Sequence, residues 1–351
     1  MIYDMIKEMG ERNIKQIVTS KQKIFTAIAV LTCVWLFASA SPAQASDVGN
    51  LKYVGYYWAG STNIYGNYIS EVAPYTNIIS LSMEDIASAQ EAKDNGLKVI
   101  LDVRWCFFDD SGPYDGFAGC KTTIDSFVSL GNLYAFYLDE PRMNGFSDSD
   151  VSAAITKLKQ YYPSVRMMIT EAAPPYYNSN PYAGVDIYSI DAYEPTWHYS
   201  ELSSGFYGIY SGLKSSFSGD IWVTAQAFDY EGGSNPPTTA MEQAWFNFAA
   251  SDSRYSGLYW FLYPDVPGSL KGAISYQDAN AYNRQVGLSI LCSNNWESNP
   301  VCGANGVDYT NPDLAKCAGT TIASYGSCST APTISFTSPT SGSTVSGTLS
   351  A

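Results

Sequence analysis

Between residues 51 and 290 the chain alternates eight times between short β-rich runs and helix-compatible segments. This alternation is typical of parallel β-sheet whose strands are joined by helices. Eight such units in about 240 residues fit one (β/α)8 barrel, whose active site is built at the carboxyl ends of the strands. We therefore predict an α/β fold, a (β/α)8 TIM barrel with a short disulfide-rich C-terminal extension. The predicted strands are 52–58, 76–82, 97–103, 132–138, 165–170, 185–191, 220–226 and 257–263.

The N-terminal region has the features of a secretory signal peptide over residues 1–45. Lys21 and Lys23 precede an apolar run over residues 24–40, and Ala-Gln-Ala at 43–45 is a small-x-small cleavage site. An uncleaved membrane anchor is the alternative, but the run is shorter than the ~20 residues of a membrane helix. We expect the mature protein to be secreted, extracellular and free of the membrane.

The remaining domain boundaries follow from composition. The barrel is predicted to span residues 46–290. Residues 291–330 are rich in Cys, Asn, Gly and Ser, which indicates a disulfide-tied cap or linker. Residues 331–351 resemble the opening strand and turn of bacterial Ig-like modules, and we predict that they are the truncated start of such a module.

The charge of the chain excludes some partners. The formal net charge is −14, and it becomes −16 without the predicted leader, which carries five basic and three acidic residues. Phosphate backbones would be repelled, so no nucleic acid is expected as a partner, whereas neutral polymers remain possible.

The cysteine count favours disulfides. Six of the seven cysteines remain after the predicted leader is removed, and an even number is typical of an exported protein. We predict a Cys106–Cys120 bond, and the C-terminal cysteines have three possible pairings. No CxxC spacing occurs and His198 is the one histidine, so neither a metal site nor a cofactor is predicted. The C-terminal cysteines are Cys292, Cys302, Cys317 and Cys328.

The fourth predicted strand lies in the stretch LYAFYLDEPRMNG, residues 133–145, and ends in two adjacent carboxylates. Successive side chains of a strand point to opposite faces, so Asp139 and Glu140 should face different ways. We predict that Glu140 faces the barrel interior above Phe136 and Leu138, while Asp139 lies at the rim. The same alternation predicts three further polar residues at the mouth. They are Asp102, Asp191 and Gln226.

Aromatic residues cluster at or just past the predicted strand ends. Flat rings with polar tips stack on sugar faces and donate to hydroxyls, which favours a carbohydrate cleft. The alternative for any single ring is a place in the core or on the surface. These residues are Tyr57, Trp58, Trp105, Tyr193, Trp197, Trp260 and Tyr263.

Glu140, closing the fourth strand before Pro141, resembles the N-E-P or D-E endings of that strand in (β/α)8 glycoside hydrolases. In those enzymes this glutamate protonates the leaving glycosidic oxygen, so the resemblance implies the same role for Glu140. Adjacent carboxylates at a water-poor mouth repel, which tends to raise one pKa and keep a proton available. Helix capping by Asp139 and Glu140 is the alternative, but the neighbouring aromatics favour catalysis.

The resemblance fails at the seventh strand. Retaining enzymes of this architecture commonly place their nucleophilic glutamate there, whereas this chain has Gln226. We favour Asp191 as the second carboxylate because it ends the sixth strand. Hexosaminidases and chitinases with an acidic pair on strand four suggest another scheme, in which the substrate's 2-acetamido group attacks and Asp139 orients it. The other candidate carboxylates are Asp102, Glu171, Glu194, Asp229 and Glu231.

We therefore predict a secreted glycoside hydrolase that cleaves O-glycosidic bonds of a polysaccharide or oligosaccharide. Glu140 is the predicted general acid/base, assisted by Asp191 or Asp139, and the enzyme is expected to be a monomer. A non-catalytic glycan-binding barrel and a substrate-assisted hydrolase of N-acetylhexosamine glycans are the alternatives. The residues predicted to contact substrate are Tyr57, Asp102, Arg104, Glu171, Tyr193, Glu194, Gln226, Trp260 and Tyr263.

Overall fold

The computed structural model describes residues 47–60, 66–109, 112–172, 180–191, 193, 204–230 and 235–328. Several predictions from the sequence lie outside these residues: the signal peptide, the start of the Ig-like module, and the positions of Glu194, Trp197, His198 and Glu231.

Eight parallel strands form a closed barrel, which confirms the predicted fold. Their bounds differ from the predicted ones by at most two residues. The strands are β1 (Tyr53–Tyr56), β2 (Ile78–Ser82), β3 (Lys98–Asp102), β4 (Leu133–Asp139), β5 (Arg166–Ala172), β6 (Ile187–Asp191), β7 (Asp220–Gln226) and β8 (Tyr255–Phe261). Strand β1 pairs with both β2 and β8, and the other strands pair with their neighbours in the sequence.

Helices surround this barrel. They are α1 (Ile69–Val72), α2 (Ile86–Asp94), α3 (Phe117–Leu130), α4 (Asp148–Tyr161), α5 (Ser204–Ser216), α6 (Thr239–Ala250) and α7 (Gln277–Cys292), followed by α8 (Pro312–Cys317) in the C-terminal extension. Local sequence explains their ends: Ser147 caps α4 by accepting a hydrogen bond from the Asp150 amide, and Gly131 ends α3 with a left-handed φ of 78°. Between β5 and β6, the described residues 180–186 contain no helix.

The apolar side chains form two layers, one inside the barrel and one between the strands and the helices. Inside the barrel, Tyr53 stacks on Trp222 with ring centroids 5.2 Å apart, which closes the amino-terminal end. The described interior residues are Tyr53, Tyr57, Ile78, Ile100, Ala135, Tyr137, Met168, Ile187, Trp222 and Tyr259.

The alternation predicted for β4 is wrong. Phe136 and Leu138 belong to the outer layer, whereas Ala135 and Tyr137 fill the barrel interior. Asp139 shares the inward face with these two residues because it lies two positions beyond Tyr137. Glu140 follows the end of the strand, so the alternation of the strand does not determine its direction.

Three disulfides join the six cysteines that the structure describes. The predicted Cys106–Cys120 bond is confirmed, and the C-terminal pairs are Cys292–Cys317 and Cys302–Cys328. The Cys292–Cys317 bond joins the ends of α7 and α8, and the Cys302–Cys328 bond lies within the segment that forms a three-stranded antiparallel sheet after the barrel. Among the helices that the structure describes, none has the combination of length and apolar character that a membrane span requires.

Candidate active site

A cavity of about 520 Å³ lies at the carboxyl ends of the barrel strands. This is the end at which (β/α)8 enzymes carry their active sites. Its walls combine aromatic rings with four charged side chains, Arg104, Asp139, Glu140 and Asp191. The other described lining residues are Tyr57, Trp58, Tyr137, Met143, Thr170, Ala172, Tyr193, Thr224, Phe228, Tyr259, Phe261, Ser269 and Leu270.

Glu140 reaches the cavity through an unusual backbone conformation. Its φ is +43°, in the left-handed region that L-residues with side chains avoid. The amide of Glu140 donates to the Thr170 carbonyl at 2.8 Å, and Asn144 Nδ2 donates to the Glu140 carbonyl at 3.0 Å. These bonds hold a conformation that costs about 1–3 kcal/mol by itself. Trp58, at the end of β1, has a φ of +55° and also lines the cavity.

The carboxyl groups of Glu140 and Asp191 both line this cavity and lie near enough for each to shift the pKa of the other. Two neighbouring negative charges repel, which favours keeping a proton on one of the two groups. Burial raises the pKa of Glu140, its interaction with Asp191 lowers it, and the nearby Asp139 charge raises it. Burial and the Glu140 charge together raise the pKa of Asp191 well above its ordinary value. The pair can therefore keep one proton at a pH where exposed carboxyls have lost theirs.

Asp139 is held from inside the barrel. The Tyr57 hydroxyl donates to Asp139 Oδ2 at 2.8 Å, and the Tyr137 hydroxyl donates to Oδ1 at 2.6 Å. Burial raises the pKa of both tyrosines well above the ordinary value, so both hydroxyls keep their protons. The rim position predicted for Asp139 is therefore wrong, because the residue continues the inward face of β4.

Arg104 is the one cationic residue among the described residues that line the cavity. Its backbone amide donates to Asp102 Oδ1 at 2.9 Å, and its guanidinium carbon lies 4.7 Å from the centre of the Trp105 ring. Asp102 is buried beneath it, and burial raises the pKa of Asp102 to about 6 while the Arg104 charge opposes the rise. Arg104 thus lies where the sequence predicts, and its charge reaches Asp102, Asp139 and Glu140.

Four buried polar atoms of residues that line the cavity have no hydrogen-bond partner within the described part of the chain. They are Arg104 Nε, Asp191 Oδ1 and the hydroxyls of Tyr193 and Tyr259. Buried polar groups in proteins are rarely left unpaired, and a ligand rich in hydroxyls would satisfy them.

Five described residues predicted to contact substrate do not line this cavity. The first, Asp102, ends β3 and is buried. Glu171 points away from the barrel interior, because Thr170 and Ala172 occupy the inward positions on β5, and it pairs with Arg142 at 2.8 Å. Gln226 is inward but buried, and its amide donates to the Phe228 carbonyl at 3.0 Å.

The other two residues are Trp260 and Tyr263, which lie in the outer layer. On β8 the inward residues are Tyr259 and Phe261, so Trp260 points toward the helices and contacts Tyr56. The Tyr263 hydroxyl donates to Glu71 Oε2 at 2.9 Å. The sequence alone did not establish which residues of β8 face inward, because the run from Tyr259 to Tyr263 is apolar on both faces.

Several lining residues were missed from the sequence. Tyr137, Tyr259 and Phe261 lie on the inward faces of β4 and β8, so a correct choice of strand face would have identified them. Met143 and Phe228 lie in loops, where no periodic pattern exists. Ser269 and Leu270 reach the cavity from the loop after β8, also without a sequence signal.

One group among the described residues has the composition of a metal site: Cys302, Asp308 and Cys328. Both of its sulfurs are joined to each other in a disulfide, so they are not available as thiolate ligands.

No protein-family model and no curated protein sequence matches the chain. Several solved structures resemble it at the level of the fold. A Cellulomonas fimi endo-β-1,4-mannanase double mutant has 12% identity and a TM-score of 0.44, over 69% of this chain and 75% of that one. A GH18 chitinase of Flavobacterium johnsoniae has 9% identity and a TM-score of 0.46, over 69% and 96%.

A D-psicose 3-epimerase of Clostridium cellulolyticum H10 has 10% identity and a TM-score of 0.39, over 68% of this chain and 96% of that one. Enzymes of different reaction classes thus match this chain with similar sequence identities and TM-scores. At these identities the similarity concerns the fold and carries no argument about the reaction.

Proposed function

We propose that the protein is a glycoside hydrolase that acts on a polysaccharide or oligosaccharide, with Glu140 as its general acid. The observation that carries this proposal is the presence of two neighbouring carboxyl groups, Glu140 and Asp191, in a cavity walled by aromatic rings, where burial raises the pKa of both. Acid catalysis of glycosidic cleavage needs a carboxyl group that is still protonated near neutral pH. Aromatic walls provide stacking surfaces for sugar rings.

In this proposal Glu140 transfers a proton to the leaving glycosidic oxygen as the bond to the anomeric carbon breaks, and a water molecule forms the new bond to that carbon. The transfer leaves negative charge on both Glu140 and Asp191. Arg104 lies near enough for its positive charge to stabilise Glu140 in that form. Asp191 accepts the proton that the attacking water gives up, so the pair regains one proton.

The position of Asp139 favours one second candidate. Asp139 lines the cavity and directly precedes Glu140 in the chain. A substrate with a 2-acetamido group supplies its own nucleophile, so N-acetylhexosamine glycans are the second candidate, with Asp139 orienting the acetamido group. Each oxygen of Asp139 accepts one tyrosine bond and retains a lone pair for this contact.

Gln226 supports a different alternative, a barrel that binds glycans without cleaving them. Its amide occupies the end of β7, where a retaining enzyme would carry a nucleophile, and it bonds to the Phe228 carbonyl. Binding of a glycan without release of reducing ends would select this alternative.

We also propose that the protein is exported. The three disulfides support this, because such bonds persist in oxidising compartments outside the cytosol. Detection of the mature protein in the medium, beginning near Ser46, would test the proposal.

The central experiment measures reducing-end release from mannans, glucans, xylans and chitin-derived oligosaccharides. Wild type is compared with Glu140→Gln, which keeps the size of the side chain but carries no acidic proton. We expect one substrate class to be hydrolysed, with a rate about 10²–10⁴-fold lower for Glu140→Gln. Glu84→Gln is the matched control, because Glu84 is exposed on the loop after β2 and does not line the cavity. Equal rates for wild type and Glu140→Gln would refute the assignment.

A further inference from the structure

A second cavity of about 390 Å³ adjoins the candidate active site. It lies between the loops that follow β3 and β4. Arg104 lines both cavities, so its side chain forms the border between them. The described lining residues are Arg104, Trp105, Asp109, Gly112, Asn144, Gly145 and Phe146.

We propose that this second cavity is a distal sugar-binding subsite, in which Trp105 stacks on a sugar ring one or more units away from the cleaved bond. The inference rests on the proposed function, and it adds a substrate class: chains long enough to occupy both cavities at once.

The exposure of Trp105 is the first argument. Trp105 is 51% exposed, on a loop at the mouth of the barrel. An indole ring left in water forgoes much of the free energy that its burial would give, at about 25 cal/mol per Å². Stacking on the apolar face of a sugar ring would recover part of this energy, as aromatic side chains commonly do at binding surfaces.

The second argument is that the Trp105 segment is held in place. The Arg104 guanidinium lies over the ring at 4.7 Å, and the Tyr114 hydroxyl donates to the Trp105 carbonyl. The next residue, Cys106, is tied to α3 by its disulfide with Cys120. A platform fixed before binding loses less conformational entropy when the ligand arrives.

The third argument is that the polar residues of this cavity offer hydrogen-bonding groups to a sugar. Asn144 donates through Nδ2 to the carbonyls of Asp139 at 3.1 Å and Glu140 at 3.0 Å, so one wall is fixed to the segment that carries the proposed acid. Asp109 and Arg104 supply a carboxylate and a guanidinium, which are acceptor and donor groups for hydroxyls. The volume lies within the range of about 300–1,000 Å³ that small-molecule sites occupy.

The experiment measures binding in the Glu140→Gln background, where hydrolysis does not interfere. Mannohexaose, cellohexaose, xylohexaose and chitohexaose are titrated calorimetrically, each beside its disaccharide. We expect Trp105→Ala to weaken binding of the recognised hexasaccharide by about 3- to 10-fold, the range expected for one aromatic contact. Binding of the disaccharide should change less than 2-fold, and Trp105→Phe should restore most of the affinity for the hexasaccharide.

Trp296→Ala is the matched control. Trp296 is also an exposed tryptophan, but it packs on Tyr53 at the amino-terminal end of the barrel, with ring centroids 5.3 Å apart. We expect this variant to bind both ligands as the Glu140→Gln parent does.

Each outcome either supports or overturns the proposed subsite. Equal losses for hexasaccharide and disaccharide, no loss for either, or no binding of any hexasaccharide would overturn it. A length-dependent loss in Trp105→Ala would support it even if wild type hydrolysed none of the four hexasaccharides. In that case the subsite would stand and the proposed hydrolase activity would fall.

Discussion

Glu140 follows the end of β4, and Glu171 lies near the end of the neighbouring strand β5. Burial raises the pKa of both glutamates, but their surroundings differ. Glu140 lines an open cavity beside another acid, Asp191. Glu171 is fully buried outside that cavity and forms an ion pair with Arg142. A raised pKa at a strand end therefore does not identify a catalytic acid. Access to the cavity and the chemical type of the partner separate the two residues.

Arg142 connects the surroundings of Glu140 with those of Glu171. Arg142 lies two residues after Glu140 and anchors the loop that follows β4. Its guanidinium donates to Glu171 Oε1 at 2.8 Å, to Asp148 Oδ1 at 2.9 Å and to the Asn180 carbonyl at 3.0 Å. The Tyr182 ring lies 4.2 Å away. We infer that the buried pair around Glu171 supports the left-handed turn that directs Glu140 into the cavity.

The largest effect that we expect on the proposed reaction is the difference between substituting Glu140 and substituting Glu171. Glu140→Gln should lower kcat by about 10²–10⁴-fold with little change in stability, because it removes an acidic proton from an open site. Glu171→Gln should keep kcat within about 10-fold. Steady-state kinetics with thermal unfolding would measure both. Similar losses of kcat in the two variants would contradict the distinction drawn between them.

Arg142→Ala should cause the largest loss of stability. It leaves the fully buried carboxyl of Glu171 without its cation, and breaking a buried pair from one side costs about 3–5 kcal/mol. Chemical denaturation measures the free energy of unfolding. The double variant Arg142→Met with Glu171→Leu should be more stable than Arg142→Ala, because it leaves no unpaired charge. A loss below about 1 kcal/mol in Arg142→Ala would show that the pair does not support the loop.

The pH dependence of stability should also distinguish Glu171. Its pKa is raised from 4.5 to about 7, so the folded state binds this proton more tightly than the unfolded state does. Its contribution to stability is then complete below about pH 4.5 and is lost as the pH rises to about 7. In Glu171→Gln, the fall in the free energy of unfolding between about pH 4.5 and 7 should be smaller than in wild type by up to about 3 kcal/mol. Denaturation curves at pH 4.5, 6 and 7.5 would test it, and identical declines in both proteins would contradict the assigned pKa.

Tyr57→Phe should have the smallest effect. The change removes one hydroxyl donor from Asp139 and leaves the bond from Tyr137. A single hydrogen bond of this kind contributes about 1 kcal/mol, so we expect about a 5-fold loss of kcat/KM. Tyr263→Phe is the control, since that hydroxyl bonds to Glu71 in the outer layer. Equal effects of the two changes would show that the bond to Asp139 has no special role.

The sequence predicted the repeating features well. The eight strands and the placement of Asp191 at the mouth follow from periodic patterns, which local residue chemistry determines. The Cys106–Cys120 bond followed from proximity in the chain. Glu140 lines the cavity, in agreement with the predicted direction, but the alternation from which that direction was predicted does not apply, because a left-handed residue after the strand end interrupts it. Trp260 was misplaced for a related reason, since a strand with two apolar faces does not reveal which one faces inward.

The most direct test of the central claim compares two kinds of substrate in the Glu140→Gln variant. A natural glycan needs a proton on its leaving oxygen, whereas an aryl glycoside of the same sugar with a strongly acidic phenol, such as 2,4-dinitrophenol, leaves without one. If Glu140 is the general acid, the variant should lose at least about 10²-fold in kcat/KM on the glycan and far less on the activated glycoside. An equal loss on both substrates, or no loss on the glycan, would contradict the account.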